Sequence, residues 1–578
     1  MPPFPQNASL DLEDLDRRFT ECIAHWQQGN LPQAAGLAQE ILALEPDHTG
    51  SLQLLGMIAH QQGQPKEALR YLQKVVDLQP EEADAHYNLA FLLHSQGSLA
   101  EAVPHYRRAL QLDPEHLEAR VNFAQLLRSA RLYREAAQEY QEVVRLQPQS
   151  AQVHNDLGIL FKEMGSLSQA IQAYEQAIRL QPNYAEAHNN LGNALKASGD
   201  WQAAEQSYQR ALQLNPNLAE AHNNLGTLYE EQGHLEKAVQ CYQQAVLARA
   251  GYAEALSNLG DAFAQMGKLE QGLQCCQRAV LADPYLLEGQ LNLANVLLMK
   301  GDPVGAEAAC EKALELEPAH PLALALQTIV CAEQKNWDRA RYWSDPQSFV
   351  QLFPGDDPEE TAILNHRLAE MILAHPSLTW ERSGNATRGG YHSGNLLADL
   401  DPAAADHPLH WLGSRIAMAV PRYLEQLLPQ LPADCVSRTE SSGTARQQAH
   451  PWLEQCQGPF QVRDLWAVVM QSQGHQIPHV HPSARLSGVY YVQVPQSVGE
   501  DPADPSGWLE FGAYPERFPG VSSHRVSGTE SLHPLICRVQ PQPGLLVLFP
   551  SHLWHRTIPF VGTEPRISIA FDIVFAGV

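Results

Sequence analysis

The sequence lacks several features that mark common classes of protein. No lysine follows Lys335, and neither a GxxxxGK[ST] loop nor a GxSxG turn occurs in the 578 residues. The missing motifs are those of P-loop nucleotide sites and α/β-hydrolase nucleophiles. Without lysine, the C-terminal part cannot use Schiff-base chemistry, and any side chain that clamps an anion there must be an arginine.

Positive charge and long apolar runs are scarce as well. Lysine and arginine number 39 against 65 acidic residues, and the net charge of −26 predicts no nucleic-acid partner. No apolar run reaches the ~18 residues of a membrane span, and the N-terminus has no signal-peptide pattern, so we expect no membrane partner. Nine cysteines without a CxxC pair favour free thiols and a cytoplasmic location.

What the sequence has instead is a fixed interval of 34 residues. Proline recurs on it from Pro46 to Pro318, with Ala250 in one slot. Three further slots hold small or aromatic residues: Gly56, Gly158, Gly192, Gly226 and Gly260; Ala68, Ala102, Ala136, Ala170, Ala204, Ala238 and Ala306; Tyr106, Tyr140, Tyr174, Tyr208 and Tyr242. Small residues permit close helix approach and proline ends a helix, so each unit is predicted to be a helix–turn–helix.

These residues resemble the tetratricopeptide repeat. Nine units fit between about residues 15 and 320, and a degenerate helix pair follows at Leu322–Trp343. The resemblance implies an all-α superhelix with an extended concave face, on which we expect a protein or peptide partner.

Asparagine occupies one further slot of the interval, although it is a mediocre helix-interior residue. The predicted substrate-binding set is Asn88, Asn122, Asn190, Asn224, Asn258 and Asn292. The AEAHNNLG units resemble the repeats of O-linked N-acetylglucosamine transferase, which implies a carboxamide ladder that holds an extended peptide. The alternative is that each asparagine bonds the backbone of the neighbouring repeat.

The pattern changes after about Pro354. Short alternating stretches such as LSGVYYVQV and RISIAFDIV predict strands of a jelly-roll (double-stranded β-helix) fold, with flanking helices at Pro358–Ala374 and His410–Leu428. Residues 433–458 are predicted to be a polar connection. We therefore predict a tail at 1–14, a tetratricopeptide repeat superhelix at 15–345 and a second domain at 346–578.

Histidines mark the chemistry of this second domain. His479 and His481 are two apart on an extended segment and share a face, His555 lies on a distant strand, and Arg566 follows it by eleven residues. This pattern indicates an open-sided metal site with one fixed cation for an anionic co-substrate, as in non-haem iron, 2-oxoglutarate-dependent oxygenases.

The motifs HxHPxxxLSGVYYV, FPSxLxH and RISIxF, together with TRGGYHSGNLL, resemble a bacterial 2OG-Fe(II) oxygenase family over roughly Ile363–Val578. More distantly they resemble prolyl and aspartyl/asparaginyl hydroxylases. The resemblance implies Fe(II), 2-oxoglutarate and O₂, with His479 and His555 as metal ligands. His481 stands where a carboxylate is usual, so it is a third ligand, a neighbour of the ligands, or a partner of the co-substrate.

Alternation along RISIAFDIV predicts that Arg566 and Ser568 point inward. A buried arginine requires an anion, and the distal carboxylate of 2-oxoglutarate meets that requirement. The alternative is a structural ion pair. Tyr491 is expected to contact the same carboxylate, unless Tyr490 or core packing accounts for the pair.

Other candidates receive less support from the sequence. Glu510 is a reserve carboxylate ligand. Four histidines are predicted to be surface or loop residues: His475, His524, His533 and His552.

The sequence therefore predicts a dioxygenase that hydroxylates a protein or peptide recruited by the repeats. Three alternatives stay open: a metal-free scaffold, an oxygenase acting on a small molecule, and a glycosyltransferase. The last has too few residues after the repeats for two Rossmann-like halves.

Overall fold

The structure, a computed structural model, describes residues 12–355, 357–381, 386–398, 400, 406–427, 450–456, 458–515, 517–518 and 535–576. The chain divides into two compact units, Met1–Pro216 and Asn217–Val578. Residues 1–11 of the predicted tail lie outside the described residues, as does most of the predicted polar connection. Among the described helices, none combines the length and apolar character that crossing a membrane requires. The predicted domain boundary at 345/346 stays a prediction.

Twenty helices follow one another in the described residues up to Trp343. They are α1 Leu12–Gln27, α2 Leu31–Leu44, α3 Thr49–Gln61, α4 Pro65–Leu78, α5 Ala83–Ser95, α6 Leu99–Leu112, α7 Leu117–Ser129, α8 Tyr133–Leu146, α9 Ala151–Glu163, α10 Leu167–Leu180, α11 Ala185–Ser198, α12 Trp201–Leu214, α13 Ala219–Glu231, α14 Leu235–Ala248, α15 Ala253–Gln265, α16 Leu269–Ala282, α17 Leu287–Met299, α18 Pro303–Leu316, α19 Pro321–Glu333 and α20 Trp337–Trp343. The all-helical prediction for this part is confirmed.

Residues on the 34-residue interval explain how each helix pair closes. In the α11–α12 pair, a Cβ built on Gly192 would lie 2.6 Å from the ring of the buried Tyr208, so only glycine permits this approach. The pairs before and after it repeat the contact. Helix α10 ends at Leu180, two residues before Pro182, because proline cannot supply the next helical hydrogen bond.

The rest of the chain is rich in strands. Its described strands are β1 Gln351–Phe353, β2 Thr379–Trp380, β3 Thr387–His392, β4 Phe460–His479, β5 Leu486–Gln493, β6 Leu509–Phe511, β7 Cys537–Val539, β8 Leu546–Pro550, β9 His555–Thr557 and β10 Arg566–Phe575. Four helices accompany them: α21 Pro346–Phe349, α22 Pro358–Leu373, α23 Pro408–Leu427 and α24 Pro451–Glu454. We call this part the β domain.

The strands pair antiparallel in the order β1-β8-β5-β10-β4-β9-β6-β7, with β3 beside β4 and β2 beside β3. Strand β4 pairs with β10 through residues 460–470 and with β9 through Gln476 and His479. Between these two stretches Gln473 has φ +67°. This order agrees with the predicted jelly-roll class.

Glycine makes the bend in β4 possible. A Cβ on Gly474 would lie 2.6 Å from the carbonyl oxygen of Gly389, where the β3–β4 register shifts. Gly389 itself has φ +63°, a conformation that side chains rarely adopt. The close approach of these two backbones turns the second half of β4, and with it His479, toward β9.

The isoleucines of β10 lie on the face opposite the cavity described below. Ile567, Ile569 and Ile573 are fully buried in a cluster with Leu368 of α22 and Leu412 of α23. Burying each such side chain contributes about 1.5–3 kcal/mol, so this face anchors the strand under the helices.

Within the second unit, α19 packs on the loop between β8 and β9. The indole N–H of Trp554 donates to the carbonyl of Ala325 at 3.4 Å. Trp554 and Phe518 share an apolar cluster with Leu326 and Ile329. The last helix pair is therefore part of the support of that loop.

Candidate functional site

Three histidines converge where β4 meets β9. His479 ends β4 and pairs in register with His555, the first residue of β9, while His481 follows two residues later. One ring nitrogen of each lies within 4.8 Å of the others. In the described part of the chain, no other group of three histidine, cysteine or carboxylate side chains has such spacing. The structure thus brings together all three predicted ligands.

Hydrogen bonds to the local backbone orient two of these rings. The Nδ1–H of His479 donates to the carbonyl of Ile477 at 2.9 Å, and that of His555 donates to the carbonyl of Leu553 at 2.9 Å. With Nδ1 engaged, the tautomer is fixed and the lone pair of Nε2 is available for a metal bond.

The third ring is held by a side chain that we did not predict. His481 Nδ1 lies 2.9 Å from Oδ1 of Asp572 on β10. The same Oδ1 accepts a hydrogen bond of 2.7 Å from the Ser487 hydroxyl, and Arg463 approaches the other oxygen to 3.7 Å. His481 therefore also presents Nε2 to the cluster.

Asp572 was within reach of sequence reasoning. The alternation that places Arg566 and Ser568 on the inner face of β10 continues through Ala570 to Asp572. A carboxylate on the buried inner face of a strand requires a partner, and that requirement was the available indication.

Burial keeps the rings of His479 and His555 neutral. Together with the neighbouring His481, it lowers the pKa of His479 to about 3. It also lowers the pKa of His555 well below its usual value. Burial alone would raise the pKa of Asp572, but His481 and Ser487 hold it below its ordinary value. At neutral pH the site therefore offers the neutral imidazoles of His479 and His555, with the carboxylate of Asp572 nearby.

Arg566, the first residue of β10, is 2% exposed and points inward as predicted. Its guanidinium donates to the Tyr491 hydroxyl at 3.2 Å and contacts the sulfur of Met470 at 3.8 Å. Its buried Nε–H has no hydrogen-bond acceptor within the described part of the chain. Among the described residues no carboxylate forms an ion pair with Arg566, so the alternative of a structural ion pair receives no support from them.

The two neighbouring tyrosines of β5 point in opposite directions. Tyr491 contacts Arg566, whereas the hydroxyl of Tyr490 donates to Asn365 of α22 at 2.7 Å. The proposed contact with an anionic ligand therefore falls to Tyr491, and Tyr490 belongs to the packing of α22.

The histidines, Arg566 and Tyr491 open on one cavity. Ser568 lies in its wall together with residues that sequence reasoning did not single out. Those additional lining residues are Trp466, Val468, Gln476, Gly488, Val489, Leu509, Phe549, Thr557 and Ala570. The lining thus combines the histidines and Arg566 with apolar side chains, a mixture that small-ligand sites also show.

The reserve candidates lie elsewhere. Glu510 is buried between Arg538 and Arg556, at 2.8 and 2.6 Å, and is absent from the histidine cluster. His475 is a partly exposed residue of β4, in line with its prediction as a surface residue. His524 and His533 lie outside the described residues.

His552 corrects our prediction of a surface or loop histidine. It lies in the turn after β8, yet it is completely buried. Its Nε2–H donates to the carbonyl of Trp343 at 3.0 Å, and its ring stacks on buried His450 at a centroid distance of 6.2 Å. The loop folds inward because aromatic side chains cover it.

The recurrent asparagines link repeats. Asn190 Nδ2 donates to Asn155 Oδ1 at 3.0 Å, and Asn258 Nδ2 donates to Asn223 Oδ1 at 3.1 Å. The bonds join side chains 35 residues apart. Asn122 bonds the Tyr87 hydroxyl, and Asn292 bonds Ser257, in the same way. Binding of substrate by these asparagines, including Asn88 and Asn224, stays a prediction.

Comparison with known families separates the two parts of the chain. The family described as "Putative 2OG-Fe(II) oxygenase" matches residues 464–572. The tetratricopeptide repeat family matches residues 20–77 and 54–116, and the cilia and flagella-associated protein 70 C-terminal domain matches residues 114–329. The chain therefore consists of tetratricopeptide repeats followed by a domain of this 2OG-Fe(II) oxygenase family. Among curated proteins, none matches this chain.

Solved structures give weaker similarities. The hetero-tetramer Cut9-Hcn1 of APC/C is 19% identical over 52% of this chain, with a TM-score of 0.37, and only 59% of that chain is covered. MamA is 25% identical over 28% of this chain and 94% of its own, with a TM-score of 0.26. Pseudomonas aeruginosa pilF is 24% identical over 36% and 94%, with a TM-score of 0.31. At these TM-scores we base no conclusion on them.

Proposed function

We propose that this protein is an Fe(II)- and 2-oxoglutarate-dependent dioxygenase that hydroxylates a protein or peptide recruited by its repeats. The observation that carries the proposal is the pairing of two groups in one cavity. Three imidazoles converge in its lining, and a buried arginine without a carboxylate partner among the described residues lines the same cavity.

The donor set fits ferrous iron. His479, His481 and His555 would hold the metal through Nε2, since each Nδ1 is already bonded. Nitrogen donors suit iron, and three ligands on one side leave positions open for other molecules. Bound iron would supply the activation of O₂, coupled to decarboxylation of 2-oxoglutarate.

Arg566 would position the co-substrate. Its buried Nε–H has no acceptor among the residues that the structure describes, and a carboxylate placed against the guanidinium would satisfy it. Tyr491 and Ser568 stand beside it as further hydroxyl donors. Apolar side chains of the cavity lining, such as Val468, Leu509 and Phe549, would exclude water from the reacting groups.

The repeats support a macromolecular acceptor. Repeat arrays of this kind present extended surfaces that bind peptides, and this one occupies more than half of the chain. An oxygenase that acts on a small molecule, with the repeats recruiting a partner, is the second candidate. No observed side chain contact favours it.

The test is succinate release by the full-length protein with Fe(II), 2-oxoglutarate and a fractionated cell lysate. Proteins and metabolites are then compared by mass spectrometry for the gain of one oxygen atom. An oxygen gained by a peptide supports the proposal, whereas oxygen found only in a metabolite selects the second candidate. Absence of succinate release and of Fe(II) binding would reject both.

A further inference from the structure

Asp572 is a buried carboxylate whose ion pair with a guanidinium is long among the described residues. It is 4% exposed, and the nearest guanidinium nitrogen, that of Arg463, is 3.7 Å from Oδ2. Arg463 has its own close partner, Asp464, at 2.5 Å. The short contacts of Asp572 are the hydroxyl of Ser487 and the imidazole of His481. Such a carboxylate is costly unless an opposite charge compensates it.

His481 connects this carboxylate to the cluster. Its Nδ1–H points at Asp572, so its Nε2 faces His479 and His555. Three neutral imidazoles would leave a divalent cation with its full charge. A ligand set of two histidines and one carboxylate would cancel one unit of that charge. Asp572 is not a member of the ligand set, but it contacts His481. Its negative charge would therefore offset one unit of the cation's charge through that imidazole.

We infer that Asp572 is a positioning residue of the metal centre, which fixes the ligand tautomer of His481 and supplies the negative charge that three histidines lack. This inference rests on the proposed function, because it assumes a divalent cation on His479, His481 and His555. Mutating a carboxylate that holds a ligand histidine typically lowers metal affinity by about 10–100-fold.

The other role for Asp572 is purely structural. In that case the bonds to Ser487 and His481 would tie β10 to β5 and to the end of β4, with or without a metal. Losing the carboxylate would then lower the thermal midpoint of the metal-free protein and leave metal affinity unchanged. Loss of the carboxylate would therefore change the metal affinity if Asp572 is a positioning residue, and only the thermal midpoint if its role is structural.

The experiment is anaerobic titration of the full-length, metal-free protein with Co(II), followed by its visible absorption. Asp572→Asn keeps the shape and removes the charge, and we expect affinity to fall about 10–100-fold with a changed spectrum. Asp504→Asn is the control, since Asp504 is an exposed carboxylate of the β domain that accepts a hydrogen bond from Ser506 and does not belong to the histidine cluster. It should bind as the parent does.

A double variant separates positioning from general damage. Once His481→Ala has removed the connecting ring, adding Asp572→Asn should weaken Co(II) binding much less than the same change does in the parent. If Asp572→Asn does not fold, Ser487→Ala removes one hydrogen bond to the same carboxylate and should weaken binding by roughly 2–10-fold.

The outcomes distinguish this inference from the proposed function. Parental affinity and spectrum in Asp572→Asn, or in Ser487→Ala if it alone folds, overturn the inference while the metal site stands. Additive losses in the double variant overturn it as well. If the parent binds no Co(II), the proposed function fails first, and the inference fails with it.

Discussion

The helical repeats and the β domain use polar residues in opposite ways. In the repeats, a polar residue recurs at one position and bonds a residue of the neighbouring repeat. Asn190 bonds Asn155 in this way, and Asn258 bonds Asn223. In the β domain, Arg566 follows no repeat interval, is buried, and its Nε–H has no acceptor among the described residues. Polar residues that recur along the repeats therefore make contacts between repeats. A buried polar residue that does not recur, and that lines a cavity, marks a candidate site.

The largest expected effect tests the β domain side of this comparison. His479→Ala or His555→Ala should abolish Fe(II) binding, because each removes a neutral imidazole from the cluster, while His481→Ala should weaken binding partially. The measurement is anaerobic Fe(II) titration. His475→Ala, on the same strand but outside the cluster, should bind normally. Unchanged Fe(II) affinity in His555→Ala would show that His555 is not a metal ligand.

The next effect concerns the singular arginine. Arg566→Ala should nearly eliminate turnover, and Arg566→Lys should raise the KM for 2-oxoglutarate, because lysine keeps the charge and loses the forked geometry. Fe(II) affinity without 2-oxoglutarate should change little in either variant. Succinate release across a 2-oxoglutarate titration measures this.

Arg538→Lys is the matched control, since Arg538 is engaged by Glu510. A parental KM in Arg566→Ala would place the anion site elsewhere.

A third prediction uses the buried histidine pair. Burial lowers the pKa of His450 to about 4 and of His552 to about 3. A histidine in the unfolded chain has a pKa of about 6.5, so below that pH the unfolded state binds more protons than the folded state. The contribution of the two histidines to the free energy of unfolding is therefore complete above a pH of about 6.5 and is lost as the pH falls toward 4. The loss is roughly 1.4 kcal/mol per pH unit for each histidine.

Urea unfolding followed by tryptophan fluorescence between pH 7 and 5 measures this loss. His552→Gln should flatten the dependence, and His366→Gln should leave it unchanged because His366 is 76% exposed. Equal slopes in the parent and His552→Gln would contradict the prediction.

A smaller effect tests the repeats. Gly192→Ala should destabilise the protein by about 1–3 kcal/mol, because the new methyl would meet Tyr208 at 2.6 Å. Gly36→Ala is the control, since no atom lies within 4 Å of its Cβ position, and it should stabilise α2 by about 0.5–1 kcal/mol. Thermal unfolding by circular dichroism compares them, and equal shifts would show that the glycine–tyrosine contact is unimportant.

The last prediction would break the comparison itself. If the asparagine slot also binds substrate, changing Asn190, Asn224 and Asn258 together to alanine should weaken capture of a protein substrate. Each lost hydrogen bond contributes roughly 0.5–1.5 kcal/mol, while helix content stays near parental. Full affinity with a lowered thermal midpoint would make the slot structural alone.

The sequence predicts most of the fold because its two patterns are local. The 34-residue interval is visible as letters, and alternation along β10 already placed Arg566 and Ser568 inward. The sequence does not indicate where β10 comes to lie in space. Asp572 bonds His481 across 91 positions of chain, and His552 is buried by Trp343 across 209. Both depend on distant packing, which no local pattern encodes.

The contact of Trp554 with Ala325 has a consequence for how such a chain can evolve. Repeats duplicate and delete readily, because each contacts only its neighbours. Trp554 immediately precedes His555, so an insertion or deletion in α19 would be felt one peptide bond from a candidate metal ligand. Changes in repeat number are therefore expected on the N-terminal side of α19, and the last helix pair is inherited together with the β domain.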